Sequence, residues 1–158
     1  LPLTHVDSHQ HMHMLPGVID ISLDVAASLH LDAVRISRTP LFTAFAGMGQ
    51  LIGRLGLFTL SELSLWKAKR RHFRVPDHFE GIVAGEAVHE GHFLHILKDL
   101  RPGTTEVMMH PGTDNEKLIP ACDWEHDFEA EMQAIVSPKV RRMIADKAVK
   151  VVNYRDLK

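Results

Sequence analysis

One cysteine, Cys122, stands in 158 residues, so an internal disulfide is excluded and a reducing compartment such as the cytoplasm is expected. Charge of one sign is missing too. Eighteen basic against twenty acidic residues leave −2, which excludes the basic field of a general nucleic-acid binder. Long unbroken apolar runs are also absent. The most apolar stretch, residues 41–66, is interrupted by Gly and Gln and carries Arg54 and Glu62, which argues against a membrane span. A basic run follows it: Lys67, Lys69, Arg70 and Arg71. The preferred reading is a lid or helix packed over the fold. The alternative is a segment lying on an anionic lipid surface. These residues show no repeat, low-complexity tract or signal-peptide pattern. What remains is ordinary globular composition, 45% hydrophobic and 24% charged, long enough for one domain with a core.

Histidine is the exception, with twelve in the chain. Near the start, His5, Asp7, His9, His11 and His13 occupy alternate positions. On an extended strand all five side chains would share one face. Imidazole and carboxylate are ligands for divalent metals, and a neighbouring group can fix the ring tautomer. The duller alternative is a polar strand end making ordinary hydrogen bonds. His13 is a candidate ligand because four residues beyond His9 it shares a helical face if the strand stops early. His5 and His11 suit structural or supporting roles, and Asp7 suits orienting a histidine or binding metal.

Pattern along the chain predicts strands at Leu3–Gln10, Ala33–Ile36, Gly81–Ala84, Thr104–Met109 and Val149–Asn153. Helices are predicted over Val18–Leu31 from Ile21, Val25 and Leu29, through Leu60–Arg71, and over Val88–Leu100 and Trp124–Val136. A further helix opens at Ser137–Pro138, with Ser as cap and Pro at the first position. Parallel strands alternating with helices predict an α/β fold, either a (β/α) barrel or an open doubly wound sheet. Four or five strands are too few to close a barrel, and the histidine row begins almost at once. Residues 1–158 are therefore expected to be a fragment of a longer α/β protein. Open strand edges then predict self-association into a homo-oligomer.

Functional groups of parallel α/β folds gather at the C-terminal strand ends. His9–His13, Arg35 and His110 all fall there. A metal would polarise a carbonyl and activate water while an imidazole protonates the leaving group. His110 precedes Pro111, which holds its backbone extended and favours an active-site role over a satisfied buried histidine. Arg35 suits substrate binding or pairing with a carboxylate. Asp77 and His78 sit in a loop that suits substrate contact, with a capping aspartate as the alternative. His89, His92 and His95 share helical spacing but suit a solvent-facing surface, and Cys122 suits an inert filler.

Thr4–Gly17 (THVDSHQHMHMLPG) resembles the signature of the YdjC-like carbohydrate deacetylases, a group that includes chitooligosaccharide deacetylases and hopanoid-associated relatives. Glu106–Gly112 (EVMMHPG) is similar to that family's second signature, and Val151–Leu157 (VVNYRDL) to its ending. Val75–Phe79 (VPDHF) is closest to the hopanoid-associated branch. The resemblance implies a divalent-metal hydrolase, using magnesium or zinc, that removes acetyl groups from N-acetylated sugars or glycolipids on a distorted TIM-like barrel, with residues 1–158 as the C-terminal portion of that one partial TIM-like (β/α) barrel and its N-terminal half absent. It implies His9 as a metal ligand and His110 as an acid or hydrogen-bond donor; Asp7, beside His9 in the row, is the candidate catalytic carboxylate of this sequence. The family's Asn-Ala-Asp-Asp-Phe-Gly-like strand and a further histidine ligand are not in this sequence, so full activity is not expected of it alone. Competing readings are an amidohydrolase- or phosphoesterase-type hydrolase and a non-catalytic metal-binding half-barrel.

Overall fold

The computed structural model describes residues 2–38, 48–82 and 87–157. The chain forms two compact units. One comprises Leu1–Phe79, Gly103–Glu106 and Val152–Lys158, and the other Glu80–Pro102 and Val107–Val151.

In the first unit, three extended segments align in parallel. Val6 bridges Val34, and Ala33 bridges Arg74. Val6 N–H donates to the Ala33 carbonyl at 3.1 Å, Arg35 N–H to Val6 at 3.0 Å, and Val34 N–H to Arg74 at 3.1 Å. Two helices cover them, Val18–Ser28 (α1) and Met48–Arg70 (α2). Both helices end the same way. His30 (φ 57°) and His72 (φ 60°) adopt the left-handed conformation. Leu31 N–H then reaches back to Ala26 at 2.9 Å, and Phe73 N–H to Ala68 at 3.0 Å. These are Schellman-type closures, which satisfy carbonyls at the helix ends and return the chain to the parallel segments. The core gathers Met14, Ile19, Leu23, Ala26, Val34, Ile36, Ala68 and Phe73.

The expected helix over Val18–Leu31 is present, but Ile21, Val25 and Leu29 are exposed. The stripe that packs inward is Ile19, Leu23 and Ala26, because two apolar faces compete on one helix and α2 covers only one. Lys67 Nζ donates to Asp20 at 2.5 Å and Arg71 to Asp24 at 2.7 Å along the α1–α2 seam.

In the second unit, four helices surround Val88, Ile96, Leu97, Phe128, Ala134 and Val140: Glu90–Lys98 (α3), Asn115–Cys122 (α4), Phe128–Val136 (α5) and Pro138–Asp146 (α6). The predicted cap at Ser137–Pro138 is observed. Ser137 Oγ accepts from Lys139 N–H at 3.1 Å and Val140 N–H at 3.4 Å, and donates to Glu90 at 2.6 Å. Helix α4 was not expected from the sequence; Asp114 accepts from Lys117 N–H at 3.1 Å to start it.

Short strands His78–Glu80 (β1) and Thr105–Val107 (β2) pair in parallel, with His78 N–H to Thr104 at 2.9 Å and Met108 N–H to Glu80 at 3.0 Å. Gly81 follows β1 with φ +102°, and a Cβ there would lie 2.2 Å from the Met108 carbonyl oxygen. The fold is thus mixed α/β with parallel pairing, but it is sparser in strand than expected. Among the described residues there are two three-residue strands and two isolated bridges. Of Leu3–Gln10 only Val6 pairs, and Val149–Asn153 forms no strand, with Val151 77% exposed. The strand expected at Gly81–Ala84 falls partly on residues outside the described set, as do residues 41–47 of the apolar stretch. Among the described residues no helix is long and apolar enough to cross a membrane.

Candidate functional site

The histidine row stops being a row after Ser8. His9–Met14 is a 3₁₀ segment in which Gln10 (φ 51°) and His11 (φ 58°) are left-handed, so alternation no longer places these side chains on one face. Ser8 organises the turn. Its Oγ accepts from His13 N–H at 2.8 Å and lies 2.9 Å from His13 Nδ1. His13 Nε2 lies 2.7 Å from the Arg35 carbonyl. A carbonyl only accepts, so Nε2 carries a proton, and in the neutral ring Nδ1 takes the Ser8 hydroxyl hydrogen. Both ring nitrogens of the buried His13 are therefore engaged inside the protein. His11 Nδ1 lies 2.7 Å from Ser37 Oγ, and its ring meets Phe79 edge-on at 5.8 Å. His9 is exposed, and among the described residues no hydrogen bond or ion pair engages its ring.

Beside the turn, Arg35 bridges two carboxylates. It bonds Asp7 through Nη1 and Glu106 Oε1 through Nε at 2.6 Å and Nη2 at 2.5 Å. Tyr154 Oη donates to Glu106 Oε2 at 2.5 Å, and the Tyr154 ring stacks on His5 at 3.7 Å and 3°. Burial opposes the Arg35 charge, but Glu106 and Asp7 overcome it and raise its pKa. Burial, then the Glu106 carboxylate, push the Tyr154 phenol well above its ordinary range, so it remains a donor. Burial and then the Arg35 charge lower His5. Glu106 and Tyr154 appeared in the sequence only inside motifs; the ion pair gives them work.

Asp77 accepts from both Thr104 N–H and Thr104 Oγ1 at 2.8 Å, and these bonds, the backbone one first, hold its carboxyl below the usual range. The loop closes tightly here: Gly103 (φ +107°) passes so near that a Cβ would sit 2.6 Å from Asp77 Oδ2. His78 is half-buried on β1.

The second unit holds a separate group. His110 N–H donates to Glu131 Oε2, and Val88 N–H donates to Glu131 Oε1 at 2.9 Å. Glu131 is only 1% exposed. His126 Nε2 stands 3.2 Å from Glu131 Oε1, but out of hydrogen-bonding alignment, leaving it without a hydrogen-bond partner. The His126 ring stacks on Trp124 at 4.1 Å and meets His110 edge-on at 5.5 Å. His110, His126 and Glu131 are the one group of three ligand-type side chains close enough to hold a metal ion among the described residues. Sequence reasoning found His110 and missed the other two. The available signal was Glu131 itself, a carboxylate between Phe128 and Ala134 on the buried stripe of α5.

Relatives that carry the printed name carbohydrate deacetylase include one bacterial and two mammalian proteins. The protein from Thermoanaerobacter pseudethanolicus is 27% identical over 156 residues, covering 99% of this chain and 53% of its own length. The mouse protein is 28% identical over 178 residues (98% and 55%), and the human protein 27% over 179 residues (98% and 53%). The chain thus spans about half the length of the curated relatives it matches. No solved structure matches it. The family model described as YdjC-like protein matches residues 1–146, and the chain belongs to that family.

Proposed function

We propose that this chain serves in a carbohydrate deacetylase, a hydrolase that removes N-acetyl groups from amino sugars or glycoconjugates. The observation that carries the reading is the family match over residues 1–146, joined by relatives named for that activity. The parallel pairing in both units is read as part of a TIM-like barrel.

Amide hydrolysis needs an activated water and a proton for the departing amine. His110 is assigned the proton donation, and Pro111 and the Glu131 bond to its backbone N–H fix where the imidazole starts. Asp7 and Arg35 act by holding the turn that carries His9. Arg35 is committed to two carboxylates, which favours positioning over direct substrate contact. Asp77 is committed to Thr104, which favours positioning the loop over direct contact, and His78 keeps its assignment to the sugar.

A divalent ion, magnesium or zinc, would polarise the acetyl carbonyl and lower the pKa of water. His9 offers one ligand atom to such an ion. His13 and Asp7 are engaged elsewhere, and no group of three forms around His9 among the described residues. These residues alone do not fit the ion, and no step is routed through it.

The test is acetate release from N-acetylglucosamine oligomers by the whole protein in the presence of metal. Release is expected, and a phosphoesterase reading predicts none. Failure on every N-acetylated sugar tried would sink the proposal.

A further inference from the structure

We propose that His110, His126 and Glu131 bind one divalent d-block cation, zinc foremost, at a site that makes no use of His9. Each residue offers one ligand atom, and the three atoms lie within 4.8 Å of one another. Donors around a tetrahedral zinc at about 2.0–2.1 Å stand roughly 3.3 Å apart. His126 Nε2 and Glu131 Oε1 already have that spacing at 3.2 Å. His110 lies within 4.8 Å of both, so it has to close by at most about 1.5 Å.

The second observation is the orphaned nitrogen. His126 is 8% exposed, and its Nε2 has no hydrogen-bond partner. Trp124 covers one ring face, and Phe128 meets the ring edge-on at 4.9 Å. A buried polar atom without a partner is costly and rare in folded proteins, and a cation supplies the missing interaction. Glu131 is fixed by its two backbone donors, one per oxygen, and each carboxylate oxygen keeps a further lone pair. Preorganised ligands of this kind are what a metal site needs.

Donor chemistry selects the ion. Two imidazoles and a carboxylate suit zinc and its d-block neighbours, whereas magnesium prefers oxygen donors and retains its water. Three protein ligands leave a fourth position for water or a substrate oxygen. The site shares His110 with the deacetylase reading: zinc takes one ring nitrogen and leaves the other as the donor of that reading, and the test here reads metal and not acetate.

The whole protein, stripped with chelator, is titrated with zinc and with cobalt(II). His9→Ala should retain one zinc equivalent and the intense visible bands of four-coordinate cobalt. His126→Ala should lose that equivalent or bind it at least tenfold more weakly, given what loss of even supporting groups costs metal sites. The His126 ring is packed among aromatics, so its removal risks unfolding. Side-chain nitrogen NMR of the wild-type protein therefore serves as the second measurement: zinc should move the His126 Nε2 and His110 ring resonances together. Unchanged zinc binding in His126→Ala, or His126 resonances unmoved at saturating zinc, would overturn the site.

Discussion

The two histidine-bearing regions make opposite use of the same side chain. Around Ser8, rings are consumed by structure: His13 spends both nitrogens, His11 bonds Ser37, and His5 lies against Tyr154. Only His9 in that row is left to act outward. Around Glu131 in the second unit only two histidines gather, His110 and His126, yet one buried nitrogen has no hydrogen-bond partner and a fixed carboxylate stands beside it. Density of ligand-type residues marks a place to look; an unsatisfied donor or acceptor in a buried place marks a site.

Four perturbations separate the regions, from the largest effect to the smallest. Glu131→Ala strips the partner from two backbone N–H groups, at about 1–3 kcal/mol each, so roughly 4 kcal/mol should be lost in denaturant unfolding of the second unit. Glu131→Gln, which keeps one acceptor oxygen, should lose about half as much. In the first unit, Arg35→Ala leaves Asp7 and Glu106 without their shared cation and should cost about 3 kcal/mol. Arg35→Lys should restore only part of this, because an ammonium lacks the fork that reaches both carboxylates. A neutral Arg35→Ala variant would show that the network is decorative. Tyr154→Phe removes one donor to a carboxylate and should cost about 1–2 kcal/mol, measured the same way.

The smallest effect is a pH dependence. His5 titrates lower in the fold than its ordinary value of 6.5, so below pH 6.5 the unfolded chain binds the extra proton. Its stabilising contribution is present above pH 6.5 and is lost as pH falls from there through the lowered native value. His5→Phe keeps the stack on Tyr154 and should flatten that part of the stability–pH curve. An unchanged slope would remove His5 from the account.

Local signals in the sequence survived folding where their chemistry was self-contained. Ser137–Pro138 carries its own cap and its own φ restriction, and α6 begins there. The helix at Val18 was legible, but its buried face was not, since Ile19/Leu23 and Ile21/Val25 are equally apolar until α2 chooses one. The histidine row misled because alternation describes a face only while the backbone stays extended. Ser8 captures His13, and Gln10 and His11 turn left-handed, neither of which has a periodicity to read. Val149–Asn153 has the composition of a strand, but pairing is set by neighbours and not by composition. His126 and Glu131 lie 16 and 21 residues from His110, so only the packing of α5 reveals the group.

The most direct test of the row's division of labour compares His9→Ala with His13→Ala in acetate release by the whole protein, with melting followed alongside. His9→Ala should abolish release with melting unchanged, while His13→Ala should lower the melting temperature, because Ser8 and the Arg35 carbonyl lose their shared partner. Full release by His9→Ala, or loss of release by His13→Ala at unchanged stability, would contradict the account.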